Sequence, residues 1–384
     1  MNWLSRILLF ITVLLSLFFL LAPFIIEHMQ NGLEPDMVIV SDQAKQLHKN
    51  LFIADFHADS LLWKRDLTIK SSRGHVDLPR LQEGNVALQV FTIVTQSPRN
   101  LNIHSNAAAS DNITLLAISQ MWPVQTWTSL FERALYQAEK LRALEYDSGG
   151  KFLVITSRSQ LVQFIEDRKS QKIIAGVLGL EGAHAVEKNL KADMEKLFNA
   201  GLRMMAPTHF FDNKIGGSAH GTLKGGLTKL GETFVLEANR LGIILDMAHA
   251  SEQTIIDTLK LSKTPLVVSH TGLKGHCNND RNLSDSLARE IASKGGIISI
   301  GFWSTAVCGK TVDAIADAIV YAVRTVGENS VALGSDFDGA VTVPFDASRL
   351  VWLTQKLIDR GLKARTIEKV MGLNEQAFLL ANLP

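Results

Sequence analysis

The sequence predicts an α/β fold: a (β/α)8 TIM barrel preceded by one N-terminal transmembrane helix. Three observations carry that prediction. Eight short apolar runs alternate with helix-like segments, six of those runs end in His, Asp or Glu, and the first thirty residues hold a charge-free apolar stretch.

The N-terminal stretch comes first. Ile7 to Ile26, ILLFITVLLSLFFLLAPFII, is twenty residues without a charge. A helix of that length spans a hydrocarbon core of about 30 Å. Arg6 precedes it, and Glu27, Glu34 and Asp36 follow. The positive-inside rule then sets the N-terminus in the cytoplasm and the body on the outer, periplasmic or extracellular, side. A cleaved signal sequence is the rival reading. Its apolar core runs about 7–15 residues and ends at small residues, and LLAPFII offers a poor site. Residues 1–30 are therefore read as a membrane anchor (or signal sequence). Residues 31–384 read as a single domain, because no linker, low-complexity tract or repeat interrupts them.

Within that domain, SDQAKQLHKN predicts a first helix with Ser41 as N-cap. The apolar runs follow: 51–56, 86–94, 173–180, 202–208, 242–248, 265–269, 296–302 and 331–335. They are near-continuous in hydrophobicity, as parallel strands covered on both faces are. Helical patterns lie between them at 129–146, 158–168, 190–200, 229–241, 251–261, 284–294 and 311–326, with 347–360 and 363–381 after the last. Strand alternating with helix means βαβ units and a parallel sheet. Eight units favour the barrel over a doubly wound open sheet. Residues 95–172 are too long for one crossover and form an insertion. GGSAHG and GTLKGG lack the strand–turn–helix setting of a dinucleotide site.

Composition excludes some classes. A formal net charge of +1 over 384 residues, with no basic block, gives no face for nucleic acid. Only two cysteines exist, Cys277 and Cys308. There is no disulfide framework and no CxxC zinc pattern, and the sequence leaves open whether the two pair. Metal chemistry would have to use His and carboxylates.

Those groups sit at the strand ends. In FIADFHADSLLW, residues 55, 57 and 59 share one strand face by the period of two. His57 and Asp59 lie at its C-terminal end, where barrels carry their chemistry. Later runs end in Glu181, His209, His249, His270 and Asp336. Any one alone reads as a hydrogen-bonded structural residue or a cap. Together on one rim, with no Lys/Arg run beside them, they call for a cation, because buried charge is costly unless paired or metal-bound. Imidazole with carboxylate is the ligand set of zinc and similar ions. Five or six ligands exceed one tetrahedral zinc and suit two metals about 3.5–4 Å apart. The reaction class is metal-assisted hydrolysis. No GxSxG competes, and the cysteines lie off these strand ends.

The chain resembles the membrane (renal-type) dipeptidase family of zinc metallopeptidases, an amidohydrolase-like barrel. The motifs that carry the resemblance are DFHAD, SSRGHVDLPRLQEGNVALQVFT, GLEGAHAV, APTHFFDNKIGGSAHG, DMAHAS, VVSHTG, DRNLSD and GSDFDG, in this order from about residue 50 to 380. The resemblance implies a binuclear zinc dipeptidase that cleaves short peptides with a metal-bridging hydroxide. His57 and Asp59 would hold one Zn2+, Glu181 would bridge, and His249 and His270 would hold the second. His209 would stabilise the oxyanion, Arg281 would clasp the substrate carboxylate, and Asp336 would move the proton. A homodimer is an option that the resemblance leaves open.

Competing assignments remain at single residues. Arg281 has Asp285 as an alternative partner, and Asp338 competes with Asp336. His184 reads as pocket wall, His220 and His276 as loop residues near the rim, and Asp55 as deeper in the barrel. Animal members carry disulfides and a C-terminal lipid anchor; this chain has neither that cysteine set nor an apolar C-terminal tail. The loop after His209 also differs, which bears on substrate choice. Related readings keep the site for a lactone, an N-acyl amino acid or a phosphotriester. A non-catalytic membrane-tethered metal-binding protein would be expected to lose ligands, and none is lost.

Overall fold

The computed structural model describes residues 2–384. A strand overlaps each of the eight apolar runs. The strands are numbered β1 (Ile53–Ala58), β2 (Val86–Val94), β3 (Ile174–Glu181), β4 (Leu202–Met205), β5 (Ile244–Leu245), β6 (Val267–Thr271), β7 (Ile297–Ile300) and β8 (Val331–Leu333). All eight pair in parallel, in two arcs. One runs β1-β2-β3-β4-β5 and the other β6-β7-β8. Single parallel bridges, Asp246 to Val267 and Ala58 to Phe337, join their edges. The sheet is thus curled, with helices outside it.

Local chemistry explains the boundaries. Ser41 caps Asp42–Asn50 by accepting from Ala44 N (3.2 Å). Helix Lys229–Leu241 stops at Gly242, whose φ of 72° is the left-handed C-cap that glycine adopts freely. The segment read as one helix over 363–381 is broken. It runs Ala364–Glu368 and Asn374–Asn382 around a wider turn, Lys369–Leu373. Gly372 lies against β1 there, and a Cβ would collide with the Phe52 carbonyl. That tertiary contact sets the break.

The strands are buried on both faces, which is why their sequences do not alternate. The 95–172 insertion holds helices Ile113–Ser119, Leu130–Asp147 and Arg158–Asp167. A short strand, Phe152–Val154, pairs outside β3. Cys277 and Cys308 form a disulfide, with Cα atoms 5.4 Å apart.

The N-terminal helix spans Trp3–Gln30 and is long and apolar enough to cross a membrane. Most of it is exposed. Ala22, Pro23 and Glu27 are buried and Ile26 is half-buried, a stripe at helical spacing that faces the body. The chain then continues without slack. Gly32–Leu33 pairs with Thr342–Val343, and Ala340 N donates to Asn31 Oδ1 (2.9 Å).

Candidate metal centre

The register brings the rim residues together. β2 and β3 pair through Val94 and Glu181, so Glu181 closes β3 at the C-terminal edge. His57 is inside β1 and His270 inside β6. Asp59, His209, His249 and Asp336 stand in the turns just past strand ends. His249 and Asp336 have φ of 64° and 61°. Non-glycine residues in that region cost roughly 1–3 kcal/mol and cluster at functional sites.

Glu181 lies at the centre. Its Oε1 is 2.9 Å from His249 Nε2, 3.3 Å from His270 Nε2 and 3.8 Å from His57 Nε2. Its Oε2 is 3.2 Å from His209 Nε2. His57 Nε2 also lies 3.6 Å from Asp59 Oδ1 and 3.9 Å from Asp336 Oδ1. Three overlapping donor groups result: His57, Glu181 and His270; Glu181, His209 and His249; His57, Asp59 and Asp336. All these residues are buried or nearly so.

Electrostatics shows what the cluster lacks. Burial pushes the Glu181 carboxyl well above the usual range, and Asp336 up to about 7. Burial would lower His57, yet Glu181 and Asp59 outweigh it and carry the imidazole up to about 10. Burial holds His209, His249 and His270 well below the ordinary imidazole value. These are groups competing for too few positive charges. His249 Nε2 and His270 Nε2 face each other at 3.0 Å, and no hydrogen bond claims Glu181 Oε1 between them. Two nitrogen lone pairs and a carboxylate oxygen aimed at one volume fit a divalent cation.

Neighbouring residues hold these donor groups in place. Thr92 Oγ1 donates to Asp59 Oδ1 (2.5 Å) and lies 3.2 Å from His57 Nε2. Ser269 Oγ is 3.2 Å from His57 Nδ1 and 3.0 Å from His270 Nδ1. Neither was singled out from sequence. The signal was there: each is the polar residue in an apolar strand, in VFTIV and VVSH.

Arg281 resolves against Asp285. The Asp285 carboxylate takes Tyr321 Oη–H (2.5 Å) and Gly275 N–H. Arg281 turns inward instead. Its Nη2 donates to the His270 carbonyl (2.9 Å), and its guanidinium sits 5.1 Å from the Trp303 ring centre. It lines a cavity of about 210 Å³ that His249 also lines. Asp338 is engaged away from the donor groups. Its carboxylate is taken by Arg65 Nη2 (2.5 Å), Ser60 Oγ (2.6 Å) and His75 N (2.6 Å).

The remaining candidates separate cleanly. Asp55 lies deeper, accepting from Ser335 N and Oγ and from Gln89. His184 is wall, with Nε2 3.0 Å from Thr95 Oγ1 and its ring against Phe211. His220 comes nearer than its loop suggested, with its ring 5.1 Å from His249. His276 packs on Tyr321, outside the donor groups.

The family model for membrane dipeptidase, peptidase family M19, matches residues 41–378. The chain belongs to that family. As an M19 member with these donor groups it is a metallo-dipeptidase that uses divalent metal. It is 27% identical over 344 residues to an uncharacterized dipeptidase of Schizosaccharomyces pombe, covering 86% of this chain and 75% of the relative. Among solved structures, the M19 metallopeptidase dipeptidase AC is 25% identical with a TM-score of 0.71, covering 87% of this chain and 99% of that one. A Rhodobacter sphaeroides metallopeptidase, liganded with a phosphinate mimic of L-Ala-D-Ala, is 24% identical with a TM-score of 0.68, covering 87% and 99%. A probable dipeptidase from Pseudomonas aeruginosa is 18% identical with a TM-score of 0.72, covering 89% and 97%.

Proposed function

We propose that this M19 enzyme is a binuclear zinc dipeptidase. Its two sheet arcs would form one eight-stranded barrel, in a single catalytic domain over residues 31–384. The observation that carries the reading is Glu181 Oε1, buried, within 2.9–3.8 Å of three imidazole nitrogens and free of hydrogen bonds. His57 and Asp59 would hold one ion, His249 and His270 the other, with Glu181 shared. When bound, a divalent pair supplies a hydroxide nucleophile at neutral pH and polarises the scissile carbonyl.

The chain's own residues do the rest. Arg281 would orient the substrate: among the described residues no acceptor takes its Nε or Nη1, and Nη2 commits only one of its two N–H groups to the His270 carbonyl, so one guanidinium edge, Nη2 with Nε or with Nη1, is left for a terminal carboxylate as a bidentate pair. His209 lies between two acceptors, Gln96 O at 3.3 Å from Nδ1 and Glu181 Oε2 at 3.2 Å from Nε2. A proton held at Nε2 would be donated to the carbonyl oxygen as negative charge develops there. Among the described residues none donates a hydrogen bond to the Asp336 carboxylate, which sits beside His57. As a carboxylate beside the ions it would take a proton from the attacking water and return it to the leaving amine. Trp303 and Phe210 pack against the His270 and His249 imidazoles.

The substrate would be a short peptide with a free carboxylate. A D-residue at its C-terminal side fits the chemistry of the phosphinate ligand in the Rhodobacter relative. The N-terminal helix would span the membrane with its N-terminus cytoplasmic and the catalytic domain outside. The Cys277–Cys308 disulfide supports an oxidising compartment for the body. The test measures metal per chain and hydrolysis of an L-Xaa-D-Ala and L-Xaa-L-Ala panel, with and without chelator. About two zinc per chain with chelator-sensitive cleavage is expected. One metal or fewer per fully active chain would overturn the binuclear reading.

A further inference from the structure

The N-terminal helix does not stand clear of the body. Its inward stripe includes Phe19, Ala22, Pro23, Ile26 and Glu27, all at least half-buried. A cavity of about 480 Å³ lies between helix and body, lined by Ser16, Phe19, Leu20, Pro23 and Phe24 on one side. Lys64, Arg73 and Met121 line the other. The body therefore touches the helix inside its apolar run. At 1.5 Å per residue, the helix residues that share this cavity with Met121 lie roughly 3–15 Å below the end of that run at Ile26. That range includes the depth at which interfacial segments sit in a bilayer, about 5–10 Å into the headgroup and acyl boundary.

The segment that reaches this depth is apolar where it is free. Leu115, Met121 and Val124 are exposed by 56%, 53% and 68%. They belong to helix Ile113–Ser119 and the turn after it. Met121 has a φ of 56°, a costly conformation for a side chain of its kind. Beneath them Trp122, Ile113 and Ala117 are buried with Leu62, Trp63 and Val94, and Ile26 packs on that cluster. Leu62 and Trp63 follow Asp59, and Val94 pairs with Glu181, so this is the rim that carries the metal ligands. Lys64 forms no ion pair among the described residues, and Arg73 lies beside it with its Nη2 on the Lys64 carbonyl (3.1 Å). Arg73 is held by Glu27 at 2.6 Å, so Lys64 is the free cation of the pair, and a free cation beside an apolar groove matches lipid phosphate.

We propose that residues 113–124 form a membrane-docking surface, which seats the metal-bearing rim on the same bilayer that the N-terminal helix spans. The partner is a phospholipid surface, with acyl chains against Leu115, Met121 and Val124 and headgroup phosphate near Lys64 and Arg73. Continuity with the helix carries the assignment: Met121 lines one cavity with the apolar run of the helix, and Leu115 and Val124 are exposed on the same segment. The proposal rests on the membrane-spanning reading of that helix.

The test uses the full chain in phospholipid vesicles. Both native cysteines are in a disulfide, so one introduced thiol takes a fluorophore selectively. Four single variants are labelled: Leu14→Cys, Met121→Cys, Val124→Cys and Tyr146→Cys. Tyr146 is a control on the same insertion, 88% exposed and far along helix Leu130–Asp147. Quenching by lipids brominated on the acyl chain is then read. Quenching at 121 and 124 of at least half that at 14, with none at 146, is expected. Quenching at 14 with 121 and 124 as dark to lipid as 146 overturns the docking surface alone. No quenching at 14 overturns the membrane-spanning reading and the docking surface with it.

Discussion

Arg65 Nη2 lies 2.5 Å from Asp338 Oδ2, and the Nε of the same guanidinium pairs with Glu27 on the N-terminal helix. Arg73 Nε closes the group at 2.6 Å from the other Glu27 oxygen. Arg65, Glu27 and Asp338 have side chains exposed by 1% or less. The turn that presents Asp336 is thus braced by the helix, through Asp338 two residues on. Removing one member of a buried ion group strands the others and costs about 3–5 kcal/mol. Glu27→Ala should lower the melting temperature by several degrees. A chain that starts at residue 31 should melt lower than one that starts at residue 22. Thermal melts of the three chains decide it, and equal melting points would mean the brace carries no stability.

Glu181→Gln tests the centre of the donor groups. The amide keeps the shape but loses the charge and one oxygen acceptor, while the surrounding imidazoles stay. Bound metal should fall below one per chain, and kcat by at least about a thousandfold, since nucleophile and Lewis acid are lost together. Mass-spectrometric metal counting beside kinetics reads both. A variant with full metal content would remove Glu181 from the ligand set.

Thr92 and Ser269 should act through the ligands they hold. Thr92→Val removes the donor to Asp59 with little change of volume, and Ser269→Ala frees the Nδ1 sides of His57 and His270. Losing such orienting bonds costs roughly 10–100-fold in metal affinity. Competition with a chelator measures it, and unchanged affinity in both variants would make these bonds incidental.

These supporting residues also mark how far the sequence could be read. Strand positions were legible because parallel strands bury both faces and leave continuous apolar runs. The site was legible because each candidate ligand follows such a run within three residues. β5 shrank to Ile244–Leu245 because its ladder breaks near Asp246, whose carboxylate takes the Ala248 and Ser269 N–H groups. The break at Gly372 comes from the Phe52 carbonyl, far away in sequence. The Glu27–Arg65–Asp338 brace joins residues up to 311 positions apart, and no local pattern announces such a contact.

Arg281 should separate binding from chemistry. Arg281→Lys keeps the charge but loses the planar fork, and Arg281→Ala loses both. Each charge-assisted bond is worth roughly 1.5–3 kcal/mol, so the alanine variant should lose about 10²-fold or more in kcat/KM, chiefly through KM. A dipeptide amide, which lacks the carboxylate, should be a poor substrate for the native enzyme and no poorer for the variant. Equal losses on peptide and amide would show that Arg281 acts on its histidine neighbours instead.

His48 gives a pH dependence away from the metal. Its Nδ1 lies 2.8 Å from Thr354 Oγ1 and its Nε2 3.0 Å from the Gly84 carbonyl. Burial lowers it from 6.5 to about 4, against the pull of that carbonyl. The folded imidazole therefore stays neutral where the unfolded one has begun to protonate. Between those two values the unfolded state binds more protons, so stability falls as pH falls. The contribution is complete above pH 6.5 and is lost by about pH 4, an amount on the order of 3 kcal/mol. His184 and His220, lowered by burial to about 4 and about 3, add to the same trend. Urea melts of metal-stripped protein at pH 7 and pH 4.5 measure the total. His48→Gln cannot titrate, so its stability should change less between the two pH values while the other groups contribute equally in both proteins. The same loss in the variant as in the native chain would show that His48 is already protonated, or already solvated, in the folded state.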